Sequence, residues 1–465
     1  MSVINFSGLA SGIDTESMIT ATSNATRSQR EKPKQTKVTE LGDTDTSLAD
    51  LKTRFSTLQT ALVKFATYKG GGVVKQGTSS DETKVSATAT NGALNASYTV
   101  TVTSTAKNGT LSLAPAVGTY ATSDAAISAG TQEIFTIGTG SAQETVTVPI
   151  TAGSTTISQF VTTFNTLSSK ATASLVNIGT STSPSYKVVI TSDATGTTDG
   201  AIAVTTNAAG FGTPTSSAAT DAVFTIAGIG SITRSSNSIS DIIAGVTIDI
   251  QSAGTATISV GDDITATESL VQDWVTAWND IVTFVAENNQ VTTQQSGTAT
   301  TNTFAPLSNT RVDDNALTSL RSALSGTTYK TVNSSGTQTN RIATFPDLGI
   351  TSQRDGTLLF NVDTFKTAIT SEPLSVSNLM TSLADKIAIS SGTIDQYIGF
   401  NQMFDLTING NKTQITALNT QIADIEKTIL QNETTMRQRF AALESNISKL
   451  QSQQSSLTSA LAGLG

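Results

Sequence analysis

The strongest structural signal in this 465-residue chain comes from residues 415–462, which read ITALNTQIADIEKTILQNETTMRQRFAALESNISKLQSQQSSLTSALA. Apolar residues recur here at alternating intervals of three and four, the heptad repeat of a coiled coil. The predicted seam consists of Ile415, Leu418, Ile422, Ile425, Ile429, Met436, Phe440, Leu443, Ile447, Leu450, Leu457 and Leu461. The step from Met436 to Phe440 predicts a stutter, which unwinds a supercoil locally. A helix over residues 411–462 would be about 75 Å long and needs a partner for its apolar stripe.

Two further segments carry helical periodicity. From Leu41 onward, leucines and phenylalanines alternate at intervals of three and four, and a second pattern runs from Thr265 to Gln290. The predicted helical-bundle core consists of Leu51, Phe55, Leu58, Leu62, Phe65, Leu270, Trp274, Trp278, Ile281 and Val285. A tryptophan stripe can also be a ligand platform, but packing against the Leu/Phe helix shields a larger apolar area.

The middle of the chain has the period-2 alternation of β-strands. NASYTVTVTST at 95–105 and YKVVITS at 186–192 alternate apolar and polar residues, and glycines separate such runs. In the C-terminal half, Asp355-Gly356 predicts a hairpin turn, and a helix is predicted to begin near Asp363. We therefore predict a multidomain α+β fold, with discontinuous terminal coiled-coil or helical-bundle domains and inserted antiparallel β domains.

The domain boundaries follow from this order, with crossings at Gly70–Gly72 and Val260–Ala266. Insertion of a domain is tolerated when its entry and exit lie close together. The predicted domains are a terminal leg, disordered or coiled coil (1–40 and 400–465), a helical bundle with a β-hairpin (41–77 and 263–399), a β domain (78–106 and 220–262) and a second β-rich domain (107–219).

Composition excludes several classes of function. The net charge of −9 argues against nucleic acid, whose affinity for proteins comes mostly from Lys and Arg. The chain has neither cysteine nor histidine, so disulfides, Ser-His triads and histidine zinc sites are impossible. The remaining acid/base candidates are the pairs Asp262-Asp263 and Asp313-Asp314, which we interpret as complements to helix dipoles. We predict no enzyme activity, no cofactor and no metal.

The N-terminal region lacks the pattern of a Sec-type signal, and no run of about 18 apolar residues occurs. We therefore expect neither Sec signalling nor membrane insertion. Residues 8–15, GLASGIDT, disfavour a continuous helix because each glycine costs up to about 1 kcal/mol relative to alanine. Asp14 can cap a helix that starts near Glu16. The basic residues that follow are expected to form a solvated face: Arg27, Arg30, Lys32, Lys34 and Lys37.

Five segments together resemble the bacterial flagellar filament cap family, FliD, also called flagellar hook-associated protein 2. They are GLASGIDT at 8–15, SYTVTVTSTA at 97–106, RSSNSISDIIAGVTIDI at 234–250, LGITSQRDGTLLFNVDTF at 348–365 and RQRFAALESNISKLQSQQSSLTSAL at 437–461. They occur in the family's order, and the first supplies Gly8, Leu9, Gly12 and Asp14 as the N-terminal motif. Residues 107–219 match least, as expected for the family's outermost variable domain. Residues 16–38 depart from the family pattern, because Pro33 is followed by Lys34.

The resemblance implies a non-enzymatic filament cap, secreted by the flagellar export apparatus and located outside the cell at the flagellum tip. Such a cap is a homo-oligomeric ring with mobile helical legs, which promotes folding and insertion of exported flagellin and prevents its loss. Implied partners are flagellin, hook-filament junction proteins and a cytoplasmic export chaperone on the C-terminal helix. Two alternatives remain open from the residues: another axial flagellar protein, or a surface adhesin that binds mucin-type glycans and so acts in cell adhesion.

Overall fold

The computed structural model describes residues 12, 14–207, 210–296 and 299–462. The chain forms two compact units. The first combines both ends of the chain, up to Ala66 and from Glu268 onward, and the second is the continuous segment Thr67–Thr267. Among the described residues, helices predominate toward both ends and antiparallel sheets in the middle, which confirms the predicted multidomain α+β fold.

The helices are more extensive at the N-terminal end than the sequence pattern indicated. The α-helices are α1 (Thr15–Thr26), α2 (Lys32–Leu62), α3 (Ile157–Leu167), α4 (Ile264–Asn288), α5 (Val312–Ser325), α6 (Val362–Ser371), α7 (Pro373–Ile387), α8 (Asp395–Ile398) and α9 (Met403–Ala462). All but α3 lie wholly or mainly in the first unit. The predicted C-terminal helix is thus confirmed, and it begins eight residues earlier than Asn411.

A π-helical turn, Arg27–Glu31, joins α1 to α2. Pro33 is the second residue of α2 and has no N–H group for the carbonyl four residues earlier. A wider turn directly before the proline accommodates this missing hydrogen bond without ending the helix. Residues 16–38, where the sequence departs from the family pattern, therefore form nearly continuous helix.

The core of the first unit lies where α2 meets the start of α9. Phe55 on α2 is fully buried, and its ring lies edge-on to Phe404, with 5.5 Å between ring centroids. Tyr397 completes this aromatic cluster, at 6.4 Å from Phe55. On α4, Trp274 packs edge-on against Phe345 at 6.2 Å. Such tilted and edge-to-face pairs are the favoured geometry for aromatic rings.

The hairpin predicted at Asp355-Gly356 is present in the first unit. Strands β18 (Ile350–Ser352) and β19 (Leu358–Phe360) pair antiparallel around it. Gly356 has φ 91°, a left-handed conformation that favours glycine. The Asp355 carboxylate accepts hydrogen bonds from the backbone N–H and the hydroxyl of Thr357. The helix expected near Asp363 follows as α6, capped by Asn361.

The second unit is built from antiparallel sheets. Its strands are β1 (Lys75–Ser79), β2 (Val85–Ala89), β3 (Ala96–Ser104), β4 (Thr110–Leu113), β5 (Gln132–Ile137), β6 (Glu144–Pro149), β7 (Ala171–Asn177), β8 (Tyr186–Ser192), β9 (Ile202–Thr206), β10 (Thr215–Ser217), β11 (Ala222–Ile226), β12 (Gly230–Arg234), β13 (Ser238–Ile243), β14 (Val246–Ile250) and β15 (Gly254–Asp262). The first unit holds one more hairpin, β16 (Val291–Ser296) with β17 (Ala299–Phe304).

Two separate hydrophobic cores organise these strands. One core is formed by the five-stranded sheet β1-β15-β3-β11-β12 and the sheet β13-β14-β2. The other is formed by the sheets β10-β4-β8-β7 and β6-β5-β9 together with α3, around Phe135, Phe160 and Phe164. Alternate side chains of β3 and β8 point into these cores, as their period-2 patterns require.

Replacing Phe55 by alanine tests the core of the first unit. We expect Phe55→Ala to lower the free energy of unfolding by about 3 to 5 kcal/mol, the usual cost of truncating a buried phenylalanine. Tryptophan fluorescence during urea unfolding measures this change selectively, because both tryptophans lie in the first unit. Phe304→Ala is the matched control: Phe304 is exposed, so the change should stay within about 0.5 kcal/mol. Equal losses in the two variants would contradict the assignment.

Candidate functional site: the terminal helix pair

The two ends of the chain pair as antiparallel helices, with α1 and α2 packed along α9. We call this arrangement the helix pair. Polar contacts mark its register: Glu16 with Arg437, Arg27 with Glu426, Lys34 with Gln421, Asp45 with Asn411, and Lys52 with Asp405. Residue numbers rise along one helix as they fall along the other. The contacts span about 50 Å of helix at 1.5 Å per residue.

The contact between Arg27 and Glu426 joins the π-helical turn to α9. The guanidinium donates two hydrogen bonds to the carboxylate, Nε to Oε1 at 2.7 Å and Nη2 to Oε2 at 3.0 Å. This two-point geometry fixes orientation as well as distance. Arg27 and Lys34 thus contact α9, and our expectation that the basic face is only solvated is wrong for these two residues. Lys37 pairs locally with Glu40 at 3.1 Å.

A second carboxyl group, Glu31, lies beside this contact. Hydrogen bonding from Arg27, and then from Glu31, lowers the pKa of Glu426 to about 2. The pKa of Glu31 is raised, first by the hydrogen bond that its protonated form gives to Glu426 and then by burial. As pH falls, Glu31 is therefore protonated before Glu426.

The apolar seam residues of α9 differ in burial along the helix. Ile425 and Ile429 are buried, at 6% and 2% exposure. Ile415, Leu418, Ile422, Met436, Phe440 and Ile447 are half-buried, whereas Leu443, Leu450, Leu457 and Leu461 are exposed. On the other side of the helix pair, Ile19 of α1 and Leu41 of α2 are also buried. The structure thus brings part of the predicted seam into the helix pair and leaves the rest on the surface.

Beyond Arg437, α9 continues to Ala462 as a segment that we call the overhang, residues 438–462. It is about 38 Å long at 1.5 Å per residue. Leu443, Leu450 and Leu457 are spaced by seven residues, so they lie on one stripe of the helix. Their exposures are 44%, 63% and 66%. The overhang therefore presents a regular apolar stripe to its surroundings.

The predicted bundle-core residues are placed together in the first unit. Leu51, Phe55, Leu58, Leu62, Phe65, Trp274, Trp278, Ile281 and Val285 are buried, and Leu270 is half-buried. Trp278 donates its Nε1 hydrogen to the carbonyl of Gly356 at 3.2 Å. The bundle supports the helix pair, because α2 belongs to both.

Only part of the N-terminal motif is described. Gly8 and Leu9 lie outside the described residues. Gly12 has φ 72°, which favours glycine, and Asp14 caps α1 by accepting a hydrogen bond from the Ser17 N–H at 3.0 Å. The cap predicted at Asp14 is therefore confirmed. Hydrogen bonds from Ser17 lower the pKa of Asp14.

The acidic pairs occupy helix starts, in different environments. Asp262 forms an ion pair with Lys75, and Asp263 accepts a hydrogen bond from the Ala266 N–H at 2.8 Å. Asp313, in the first turn of α5, is fully buried, and burial raises its pKa to about 6. Here burial outweighs the helix dipole, which favours the charged form. Among the described residues, no carboxylate cluster could hold a metal ion.

No helix in the described part of the chain combines the length and hydrophobicity that a bilayer crossing requires.

Two family models match the sequence, the N-terminal model of flagellar hook-associated protein 2 over residues 11–109 and its C-terminal model over residues 219–452. The curated flagellar hook-associated protein 2 of Campylobacter jejuni is 27% identical over 193 residues. That alignment covers 39% of this chain and 29% of the Campylobacter protein.

Two solved structures are similar to this chain. The D1-D2-D3 domains of the flagellar cap protein FliD from Escherichia coli match with a TM-score of 0.56 and 20% identity, over 80% of this chain and 99% of that chain. The shorter D2-D3 structure from the same organism is 25% identical over 41% of this chain and all of that chain, with a TM-score of 0.35. The match to the D1-D2-D3 structure shows a similar fold and nothing about function.

The paired terminal helices and the inserted β unit define a class of multidomain α+β proteins in which both chain ends build one helical unit. Within this class, the C-terminal family model alone matches half of the chain. The chain belongs to the flagellar hook-associated protein 2 family, FliD. The resemblance drawn from five short sequence segments is thereby confirmed.

Replacing Asp313 by asparagine tests the cost of its buried charge. Because the folded-state pKa is raised, protonated Asp313 is favoured, and stability is lost as pH rises through about 6. We expect Asp313→Asn to stabilise the protein above pH 7 by about 1 to 3 kcal/mol, with the gain vanishing below about pH 4. Urea unfolding at several pH values measures this. The exposed neighbour variant Asp314→Asn is the control. Destabilisation by Asp313→Asn at pH 8 would contradict the account.

Two variants test the carboxyl pair on the helix pair. Glu426→Gln should lower the Tm at neutral pH, and the loss should fade as pH falls from about 4.5 toward 2, where Glu426 becomes protonated. Glu31→Gln should raise the Tm at neutral pH, because it replaces the charge that the site disfavours, and should give no gain below pH 4. Thermal unfolding between pH 3 and 8 reads out both. Glu40→Gln, in the exposed local pair, should change little.

Proposed function

We propose that this protein is a non-enzymatic cap of the flagellar filament, secreted by the flagellar export apparatus and located at the filament tip. It works as a homo-oligomeric ring of undetermined size. Family membership supports this role, and the single structural observation that carries it is the overhang. A helix that is held by ion pairs along one half and exposes leucines along the other half suits attachment to further proteins.

In this proposal the overhang is the mobile part of a leg that contacts flagellin at the tip. Its leucine stripe provides apolar contact area at seven-residue spacing, and such a stripe can pair with other helices in more than one register. The predicted stutter at Met436–Phe440 includes Arg437, whose guanidinium contacts Glu16 at the start of α1. The legs would thus change partners while the ring remains assembled.

The inserted unit, Thr67–Thr267, serves in this proposal as the plate that retains exported flagellin while it folds and inserts. The finer division into a leg (1–40 and 400–465), a bundle (41–77 and 263–399), a β domain (78–106 and 220–262) and an outer domain (107–219) belongs to the same proposal. Hook-filament junction proteins are the proposed contacts before the first flagellin is added. An export chaperone would cover the leucine stripe in the cytoplasm, where exposed apolar stripes promote aggregation.

Replacing the stripe leucines tests the leg. The triple variant Leu443→Ser, Leu450→Ser, Leu457→Ser should give severalfold shorter filaments and more flagellin in the medium, in a cap-deficient strain that depends on this gene. The variant Ser445→Ala, Ser452→Ala, Ser459→Ala changes exposed residues at the same spacing on another face and should support normal growth. Electron microscopy and immunoblots measure both. Normal filaments from the leucine variant would refute the leg proposal.

A further inference from the structure

The first unit contains a cavity of about 510 Å³ next to the hairpin. Its lining includes the buried residues Trp278, Phe345 and Leu358 and the exposed residues Arg321 and Ser322. The lining combines apolar and hydroxyl side chains, and a cavity of this size with a mixed lining is large enough to bind a side chain of another protein. We call it the Trp278 cavity.

The walls of the Trp278 cavity are fixed by hydrogen bonds. Trp278 donates to the Gly356 carbonyl at 3.2 Å, and Asn279 exchanges two hydrogen bonds with the Leu358 backbone. Phe345 begins a short helix that is closed by a capping box between Thr344 and Asp347. The cavity is therefore preformed, and an occupant need not pay for ordering its walls.

The rim favours an aromatic occupant. The Arg321 guanidinium lies over Gly356, where any added side chain would collide with it. Its Nη2 atom lies 3.5 Å from the Asp355 carbonyl. A guanidinium held at the mouth of an apolar cavity can cover the face of an aromatic ring that enters it.

The same unit exposes a phenylalanine that fits this description. Phe400 is 91% exposed, the most exposed aromatic side chain among the described residues. Hydrogen bonds hold the turn around it: Gln402 N–H donates to the Gly399 carbonyl at 3.1 Å, and the Tyr397 hydroxyl contacts the Ser319 hydroxyl at 2.8 Å. Met403, exposed at 45%, extends the apolar surface into the start of α9. A large, highly exposed apolar side chain on a hydrogen-bonded turn is typical of a protein contact.

We propose that Phe400 of one copy inserts into the Trp278 cavity of the next copy. The two surfaces are different patches of one unit, so the contact is head-to-tail, and repetition of such a contact closes a ring when its rotation permits. The inference rests on the proposed ring and assigns one of its interfaces. A buried aromatic side chain at the centre of an interface is the usual hot spot.

Self-association of purified full-length variants tests the interface. Phe400→Ala should weaken self-association by about 30-fold or more, measured by sedimentation velocity and native mass spectrometry. Phe304→Ala, which truncates another exposed phenylalanine of the same unit, should associate like the unchanged protein. An unchanged Tm for Phe400→Ala shows that the fold is intact. Ser322→Arg, at the cavity rim, should weaken association in the same way from the other side.

Disulfide cross-linking tests the interface independently. Because the chain has no cysteine, each introduced cysteine is the only thiol in its copy. A mixture of the single variants Phe400→Cys and Ser322→Cys should form disulfide-linked dimers well above the level that either variant forms alone. If rings form but Phe400→Ala assembles normally and the mixture does not cross-link, the interface is wrong and the ring proposal stands. If the unchanged protein stays a single copy at every concentration, both proposals fail.

Discussion

The antiparallel pairing of the chain's two ends is the constraint on which the first unit depends. Both α2 and α9 carry an apolar stripe. Exposing the whole stripe to water would be unfavourable, and each helix covers part of the stripe of the other. The bidentate contact of Arg27 with Glu426 fixes one point of the register, and Lys52 with Asp405 fixes another. Between such points the helices cannot slide by a turn without separating every polar pair at once. The bundle core around Phe55 then forms where this register ends.

Much of this architecture could be predicted from residue spacing. Periods of 3.5 and 2 residues distinguish helix from strand, and Asp355-Gly356 favours a turn, so these elements follow from the local sequence. The register of the helix pair could not be predicted, because it depends on charges about 400 residues apart along the chain. The π-helical turn was also missed, although Pro33 within a helical stretch is a signal for such an irregularity. Burial of Asp313 depends on tertiary packing, so no local sequence pattern indicates it.

The predicted seam on α9 shows how one sequence pattern can have two uses. From Ile415 to Ile429 the stripe is progressively buried, whereas from Leu443 onward the leucines are exposed. The apolar spacing is similar in both parts, so spacing alone cannot separate an internal contact from an external one. Among the described residues, the two parts differ in the helix beside them: α1 begins at Thr15, and its Glu16 contacts Arg437. Similar reasoning applies to Phe400, whose exposure only the structure shows.

The insertion of a continuous unit between two distant halves also sets an order of folding. Residues 67–267 contain all strands of their sheets, so this unit can fold as soon as that segment is free. The helical unit needs residues from both ends, and contacts such as that of Glu16 with Arg437 close a loop of about 420 residues. Closing long loops is slow because the chain entropy must be overcome before the contacts form. A chain that emerges from one end therefore completes its β unit first and its helical unit last.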